Sequence, residues 1–103
     1  MTAPFQGIEV DRTEFPAGTI RVHRAGASGP PVVLLHGGGL DNAMLSWRRC
    51  VPALAADYHV YAPDFPGQGG SMPWHGGGDQ RTLEEVLRWL LDTCEVSEVV
   101  LVV

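Results

Sequence analysis

An uninterrupted apolar run, Val32 to Leu35, most strongly limits the folds open to this chain. Before it, apolar and polar residues alternate over 8–11 and 19–24, a pattern typical of two antiparallel strands joined by a turn at 15–18. The run itself contains no polar position, as expected of a strand that is covered on both faces. Such strands occur in parallel sheets packed under helices. The run therefore predicts an α/β sheet that begins with an antiparallel hairpin.

A helix is predicted after this strand because apolar residues recur at spacings of three and four: Met44, Trp47, Val51 and Leu54. Asp41 or Asn42 is placed to cap this helix. Pro52 lies inside the pattern, so we expect it to break or kink the helix there. Residues 58–62 then predict a second central strand, which ends at a Pro-Asp pair.

The second half of the chain repeats this alternation after a glycine- and proline-rich loop over 65–78. Thr82 and Glu85 have the spacing of a capping box and predict the start of a second helix. Its apolar face is Leu83, Val86, Leu87, Leu90, Leu91 and Cys94. Residues 98–103 predict a last apolar strand. The order β-β-β-α-β-α-β predicts an open, twisted and mostly parallel α/β sheet with an antiparallel N-terminal hairpin.

Charge and composition exclude several function classes. The chain has 12 acidic and 7 basic residues and a formal net charge of −5, which argues against nucleic-acid binding. All of the basic residues are arginines, so neither a Walker A lysine nor a Schiff-base lysine is available. Cys50 and Cys94 lie far apart without metal-ligand spacing, and each falls in a predicted helix, which favours two reduced, packed thiols over a disulfide or a zinc site. With no signal-peptide pattern and no long apolar segment, we expect a cytoplasmic protein without a membrane partner.

Two glycine-rich turns follow predicted strands and carry the chemistry. The first, His36-Gly37-Gly38-Gly39, stands between a buried strand and a helix, where glycines leave backbone N–H groups free to bind a developing oxyanion. The alternative is a plain strand-to-helix turn. A second copy, residues 75–78, follows no strand and is interpreted as a flexible loop. The other turn, residues 64–71, reads Asp-Phe-Pro-Gly-Gln-Gly-Gly-Ser and follows the next strand.

These paired motifs, with a tryptophan-bearing helix between them, resemble the N-terminal part of an α/β-hydrolase over residues 6–103. The resemblance implies that residues 1–103 form the N-terminal portion of a single α/β-hydrolase domain. It also implies that complete members hydrolyse ester or related bonds of small molecules by a Ser-His-Asp covalent mechanism, without a metal or organic cofactor. The bond type and the substrate stay open.

The resemblance assigns roles to individual residues. Gly38, with Gly39 beside it, matches the position whose backbone N–H forms half of the oxyanion hole. His36 matches the histidine that organises this loop and is not the catalytic base. Asp64 matches a turn residue with a structural role and not the triad acid. The residues expected to shape the site are His36, Gly37, Asp64, Gly67, Gly69 and Ser71.

No catalytic residue of the family pattern is found in this chain. The nucleophile is expected in Gly-x-Ser-x-Gly after the fifth strand, which is predicted at 99–103. The stretch 69–73 lacks the second glycine of that motif. A rival arrangement is a chymotrypsin-like order of His36, Asp64 and Ser71. We expect the chain alone to be inactive.

Two further expectations complete the sequence interpretation. Trp74 lies in the long loop and is the candidate for a substrate pocket. The last strand would lie at an open sheet edge, which predicts self-association or a complementing chain. The alternative to a hydrolase is therefore a non-catalytic module that binds a small ligand or such a chain. A dinucleotide site is not supported because no glycine triplet completes G-x-G-x-x-G.

Overall fold

The architecture is taken from a computed structural model that describes residues 7–37, 41–93 and 100–102. It contains five strands in the spatial order β1-β2-β4-β3-β5. The strands are β1 (Glu9–Phe15), β2 (Gly18–Ala25), β3 (Pro31–Leu34), β4 (His59–Pro63) and β5 (Val100–Val102). The helices are α1 (Ala43–Trp47), α2 (Cys50–Leu54) and α3 (Gln80–Thr93).

The sheet is mixed, with a parallel half and an antiparallel half. β1 and β2 form the predicted hairpin, in which Phe15 pairs with Gly18, so the turn is only Pro16 and Ala17. β2 also pairs antiparallel with β4, whereas β3 pairs parallel with both β4 and β5. The predicted α/β class with an antiparallel hairpin is confirmed. Positions 98, 99 and 103 of the predicted last strand lie outside the described residues.

Two apolar clusters cover opposite faces of the sheet. Alternate residues of β3 and β4 point to different faces, so that Val32 and Val60 belong to one cluster and Val33 and Tyr61 to the other. The first cluster includes Ala43, Met44 and Val51 of α1 and α2. The second cluster includes Val86 and Leu90 of α3. The connections after β3 and after β4 therefore cross on opposite faces of the sheet.

The break in the first helical segment lies earlier than the sequence predicted. α1 ends at Trp47 and α2 begins at Cys50, so Pro52 lies in the first turn of α2 and does not break that helix. Proline is tolerated there because an N–H in the first turn has no intrahelical acceptor. A continuous helix would need a hydrogen bond from residue 52 to the carbonyl of Arg48, and proline removes it. Cys50, predicted to be packed, is a free and exposed thiol.

The predicted capping box at Thr82 was also misplaced. α3 begins at Gln80, and the Asp79 carboxylate accepts hydrogen bonds from the backbone N–H of Thr82 at 2.9 Å and from its hydroxyl at 2.8 Å. An aspartate that precedes the helix satisfies this unpaired N–H, so Thr82 lies inside the first turn. Hydrogen bonds from the Thr82 amide and then its hydroxyl hold the pKa of Asp79 below its ordinary value. In the part of the chain that the structure describes, no helix has the length and apolar character to cross a bilayer.

His23 is buried in the sheet and makes stability sensitive to acid. Its side chain is 1% exposed, and its Nδ1–H donates to the carbonyl oxygen of Ala62 at 3.0 Å. Burial lowers the pKa of His23 below its ordinary value of 6.5. The unfolded chain therefore binds this proton more readily than the folded chain, and stability falls as the pH drops below 6.5.

We expect the substitution His23→Gln to flatten this acid-induced loss of stability. Urea unfolding between pH 8 and about pH 5 measures it as the slope of the unfolding free energy against pH. The matched control is His75→Gln at an exposed position, which should leave the slope as it is in the original chain. An unchanged slope in His23→Gln would assign the acid sensitivity to other groups.

Candidate functional site

The candidate site lies where β3 and β4 end side by side. These strands run parallel, so their carboxyl ends meet at the same edge of the sheet. The chain leaves β3 towards α1 on one face and leaves β4 towards α3 on the other face. In open α/β sheets, ligands bind in the crevice between two such strands. Both glycine-rich turns singled out in the sequence begin at this crevice.

His36 joins the two turns through hydrogen bonds with backbone groups. Its side chain is buried, and Nε2 accepts the backbone N–H of Phe65 at 2.9 Å. The proton is therefore assigned to Nδ1, which donates to the carbonyl oxygen of Gly37 at 2.5 Å. The imidazole ring also packs on the Phe65 ring with centroids 4.1 Å apart. With both nitrogens bonded to the backbone, the ring holds the two turns together.

Asp41 closes the first glycine-rich turn from its far end. Its Oδ2 accepts the backbone N–H of Gly37 at 2.8 Å and the hydroxyl of Ser46 at 2.5 Å, while Oδ1 accepts the N–H of Asn42 at 2.8 Å. These hydrogen bonds, that of Ser46 foremost, hold the pKa of Asp41 below its ordinary value. Gly37 and Asp41, the described residues on either side of positions 38–40, are thus held by hydrogen bonds. Gly38 and Gly39, the predicted oxyanion-hole residues, lie outside the described residues.

Asp64 is the most heavily bonded side chain at this edge. It is 1% exposed, and its Oδ1 accepts the backbone N–H of Ala43 at 2.8 Å, at the first residue of α1. Its Oδ2 accepts Nε–H of Arg21 at 2.7 Å and the N–H of Gly70 at 2.8 Å. The carboxylate therefore joins β2, the start of α1 and the second turn. These contacts give Asp64 a structural function.

Ser71 completes the second turn from a fully buried position. Its hydroxyl donates to the carbonyl oxygen of Asp64 at 2.7 Å and accepts the backbone N–H of Arg21 at 2.9 Å. Gly69 has a φ of +55°, and a Cβ there would lie 2.6 Å from Oδ2 of Asp64. Gly67 has a φ of +76° with open space around it. The glycine at position 69 is thus required both by its backbone angle and by the nearby carboxylate.

The rival relay of His36, Asp64 and Ser71 is not formed by these contacts. The three residues lie at the same sheet edge, but the hydroxyl of Ser71 and both ring nitrogens of His36 bond backbone groups. The carboxylate of Asp64 bonds Arg21 and two backbone N–H groups. A proton relay needs side chains that bond one another in sequence. The described contacts show no such chain of hydrogen bonds.

Trp74 lies against the N-terminal hairpin. Its ring stacks on Phe15 with centroids 5.7 Å apart, and its Nε1–H donates to the carbonyl oxygen of Gly77 at 2.9 Å. Trp74 also forms an isolated bridge with Gly18. The residue thus joins the long loop to the hairpin.

Sequence reasoning missed two residues of this edge. Arg21 lies in an alternating strand, where a charged side chain is ordinarily solvent-exposed, and its partner Asp64 is 43 residues away in the sequence. Asp41 was considered only as a helix cap, whereas Asn42 caps α1 through its side chain, which accepts the N–H of Leu45. The Asp-Asn pair before the helix was a signal for two separate acceptors, one for the helix and one for the turn.

Comparison with known proteins relates the fold and the two glycine-rich turns to one family. A family model described as alpha/beta hydrolase fold matches residues 30–103. The chain is 40% identical over 73 residues to a pimeloyl-[acyl-carrier protein] methyl ester esterase from Vibrio atlanticus, covering 71% of this chain and 26% of that protein. It is 42% identical over 72 residues to a soluble epoxide hydrolase from a Corynebacterium species, covering 69% of this chain and 24% of that protein.

Solved structures show the same arrangement. An alpha/beta hydrolase fold protein from Burkholderia ambifaria superposes with a TM-score of 0.76 at 31% identity, over 88% of this chain and 33% of that chain. The present chain thus spans about a quarter of the curated relatives and a third of this structure.

Proposed function

The chain belongs to the alpha/beta hydrolase fold family, and from that premise we propose that it forms the oxyanion-loop part of a hydrolase acting on an ester or related bond. Residues 1–103 would be the N-terminal portion of one such domain. In this reaction a nucleophile attacks a small-molecule substrate, and the turn after β3 donates a backbone N–H to the oxyanion that develops. The proposed reaction uses neither a metal nor an organic cofactor. A cytoplasmic location belongs to the same proposal, since Cys50 and Cys94 are interpreted as reduced thiols.

The observation that carries this proposal is the hydrogen bonding of His36 and Gly37, the two described residues with which the turn after β3 begins. His36 bonds this turn to the end of β4, and the Asp41 carboxylate bonds Gly37 to the start of α1. Donors that are held in place before the reaction stabilise a transition state without reorganisation. Removing one oxyanion donor from a complete site costs about 2.7–4 kcal/mol of this stabilisation. Gly38 and Gly39 are the proposed donors in that turn.

A chimera tests the proposal directly. The chain would replace the matching part of the Vibrio atlanticus esterase, and hydrolysis of p-nitrophenyl acetate would be measured for the chimera and for the chain alone. We expect turnover by the chimera and none by the chain alone, because Ser71 is committed to backbone hydrogen bonds. The control Asp92→Asn, at an exposed position of α3, should leave the activity of the chimera unchanged.

Two results would contradict this proposal. A folded chimera without turnover would show that the turn after β3 does not support hydrolysis. Turnover by the chain alone that is lost in Ser71→Ala would instead make this serine the nucleophile.

A second candidate function is that of a module completed by another chain. β5 pairs with β3 and lies at the end of the described sheet order. Open strand edges pair readily with other strands. We expect concentration-dependent association of the chain, measured by size-exclusion chromatography. A monomer that unfolds cooperatively at all concentrations would contradict this expectation.

A further inference from the structure

β1 lies at one end of the described sheet, where β2 is the strand that pairs with it. Arg12 of β1 lies opposite Arg21 of β2. The backbone N–H of Arg21 donates to the Ser71 hydroxyl and its C=O accepts from Asp64, so both groups point away from β1. Opposite residues of an antiparallel pair turn these groups either both inward or both outward, so those of Arg12 face the open side of β1. Glu14, two positions along the strand, has its N–H and C=O on the same open side.

Charged side chains decide which strand can pair with this open side. β1 carries Glu9, Asp11, Arg12 and Glu14 within seven residues. Charges on an edge strand ordinarily discourage pairing, and like charges directly opposite each other in an antiparallel pair are destabilising. Opposite charges in such positions stabilise the pair. The order of the charges therefore selects the register in which a second strand is accepted.

For a second copy of β1, the charges exclude most registers. Two identical antiparallel strands are related by a two-fold axis, and residues with open backbone groups lie opposite each other when this axis passes through a residue. An axis through Asp11, Arg12 or Glu14 places a charged side chain opposite its own copy. An axis through Val10 places Glu9 opposite Asp11, again with like charges. One interior position of the strand remains.

An axis through Thr13 joins opposite charges. Arg12 of each copy then lies opposite Glu14 of the other, and the two residues exchange both N–H···O bonds through groups that are open in the single chain. Asp11 lies opposite Phe15, so no like charges meet there. This register thus forms a charge pair on each side of the axis and continues the sheet from one copy into the other.

Arg12 and Glu14 have no opposite charge as a partner among the described residues of their own chain. Arg12 donates from Nη1 to the carbonyl oxygen of Gly70 at 2.9 Å and from Nη2 to that of Met72 at 2.5 Å, and both acceptors are neutral. Glu14 accepts the hydroxyl of Thr19 at 3.1 Å, a neutral donor. The ion pairs of the described residues include neither side chain. Each can therefore gain a counter-charge from a second copy.

We propose that β1 binds a second copy of this chain, antiparallel and about Thr13, so that the sheet runs across a dimer. Charge complementarity selects this partner, because the order of Arg12 and Glu14 is matched by the same strand in reverse. The surface lies at the opposite end of the described sheet from β5, and the dimer does not depend on the proposed hydrolase function.

A disulfide at the axis tests the register. Thr13→Cys would be introduced together with Cys50→Ser and Cys94→Ser, and non-reducing electrophoresis would measure the dimers formed under mild oxidation. Residues at this axis form a non-hydrogen-bonded pair with Cα atoms about 4.5 Å apart, which a disulfide can span. We therefore expect a covalent dimer. Asp11→Cys, on the same face of β1, is the matched control and should form no such dimer, because it lies opposite Phe15.

Charge reversal tests the complementarity. Glu14→Arg places arginines opposite each other and Arg12→Glu places glutamates opposite each other, so each should weaken the dimer about tenfold or more in sedimentation equilibrium. An equimolar mixture of the two variants should associate again, since the reversed residues then meet opposite charges. Glu85→Arg, at an exposed position of α3 with the same change in net charge as Glu14→Arg, should leave association unchanged.

Far-UV circular dichroism checks that each variant is folded. If Arg12→Glu is unfolded, Glu14→Pro replaces the mixture: proline removes an N–H that the hairpin does not use, and the dimer should be lost.

The possible results separate this inference from the other proposals. No covalent dimer in Thr13→Cys, an equal amount in Asp11→Cys, or a mixture that associates no more strongly than its components would overturn the inference. Association that Glu14→Arg leaves unchanged would also overturn it and would belong to another surface such as β5. The hydrolase proposal is tested separately, by turnover of the chimera.

Discussion

Replacing Asp64 with asparagine should lower the free energy of unfolding by about 3 kcal/mol, because it removes a buried carboxylate from its partly exposed partner Arg21 and leaves a backbone donor unpaired. Oδ1 and Oδ2 of Asp64 both accept hydrogen bonds, from Ala43 on one side and from Arg21 and Gly70 on the other. An asparagine must direct its NH2 group towards one of these donors, whichever way the amide is turned. The charge of Arg21 also loses its partner.

Urea unfolding followed by far-UV circular dichroism measures this loss. The control is Asp92→Asn, which removes an exposed carboxylate from α3 and should change the unfolding free energy by less than about 0.5 kcal/mol. A loss of this size is a large part of the 5–15 kcal/mol that is typical of whole domains. A loss of less than about 1 kcal/mol in Asp64→Asn would show that the described hydrogen bonds contribute little.

Alanine substitutions at two glycines should separate backbone strain from steric conflict in the second turn. Gly67 and Gly69 both have a positive φ, of +76° and +55°, but only at Gly69 would a Cβ lie 2.6 Å from the Asp64 carboxylate. Gly67→Ala should therefore lower the free energy of unfolding only by the cost of a left-handed conformation at alanine, about 1–2 kcal/mol. Gly69→Ala adds the displacement of Asp64 and should cost about 3 kcal/mol or more.

The same unfolding experiment measures both variants, and Gly67→Ala is the internal control for Gly69→Ala. The double variant Gly69→Ala with Asp64→Asn tests the mechanism. Both changes disrupt the same contacts. The double variant should therefore lose less free energy of unfolding than the two single variants lose together. Equal losses in the two glycine variants, or full additivity in the double variant, would contradict the role assigned to Gly69.

The elements of this fold could be predicted because short-range patterns carry them. The apolar run ending at Leu35 and the alternation over 19–24 identify strands from neighbouring residues alone. The errors concern the exact ends of helices, where two residues within one turn could each be the cap or the point of the break. Asp79 caps α3 in place of Thr82, and the break attributed to Pro52 lies one turn earlier.

The contacts of the candidate site were less accessible to sequence reasoning. The turn motifs located His36 and Asp64 at one sheet edge, which follows from the parallel strand order. The partner of Asp64 could not be read from the sequence, because the pairing with Arg21 depends on β2 lying beside β4. Likewise, the apolar face of α3 was predicted from the sequence. The cavity between this helix and the ends of β3 and β4 was not, because it depends on the position of the helix over the sheet.

The position of Asp64 has a consequence for protein engineering. The carboxylate of Asp64 bonds a strand, a helix start and a turn that are distant in the sequence, so these three segments must be exchanged together when the protein is recombined with a relative. A loop transplanted from a relative keeps its shape only if the recipient supplies the arginine of β2 and the free amide at the start of α1. Recombination between family members should therefore succeed at crossover points that exchange residues 21 to 71 together, and fail at points between them.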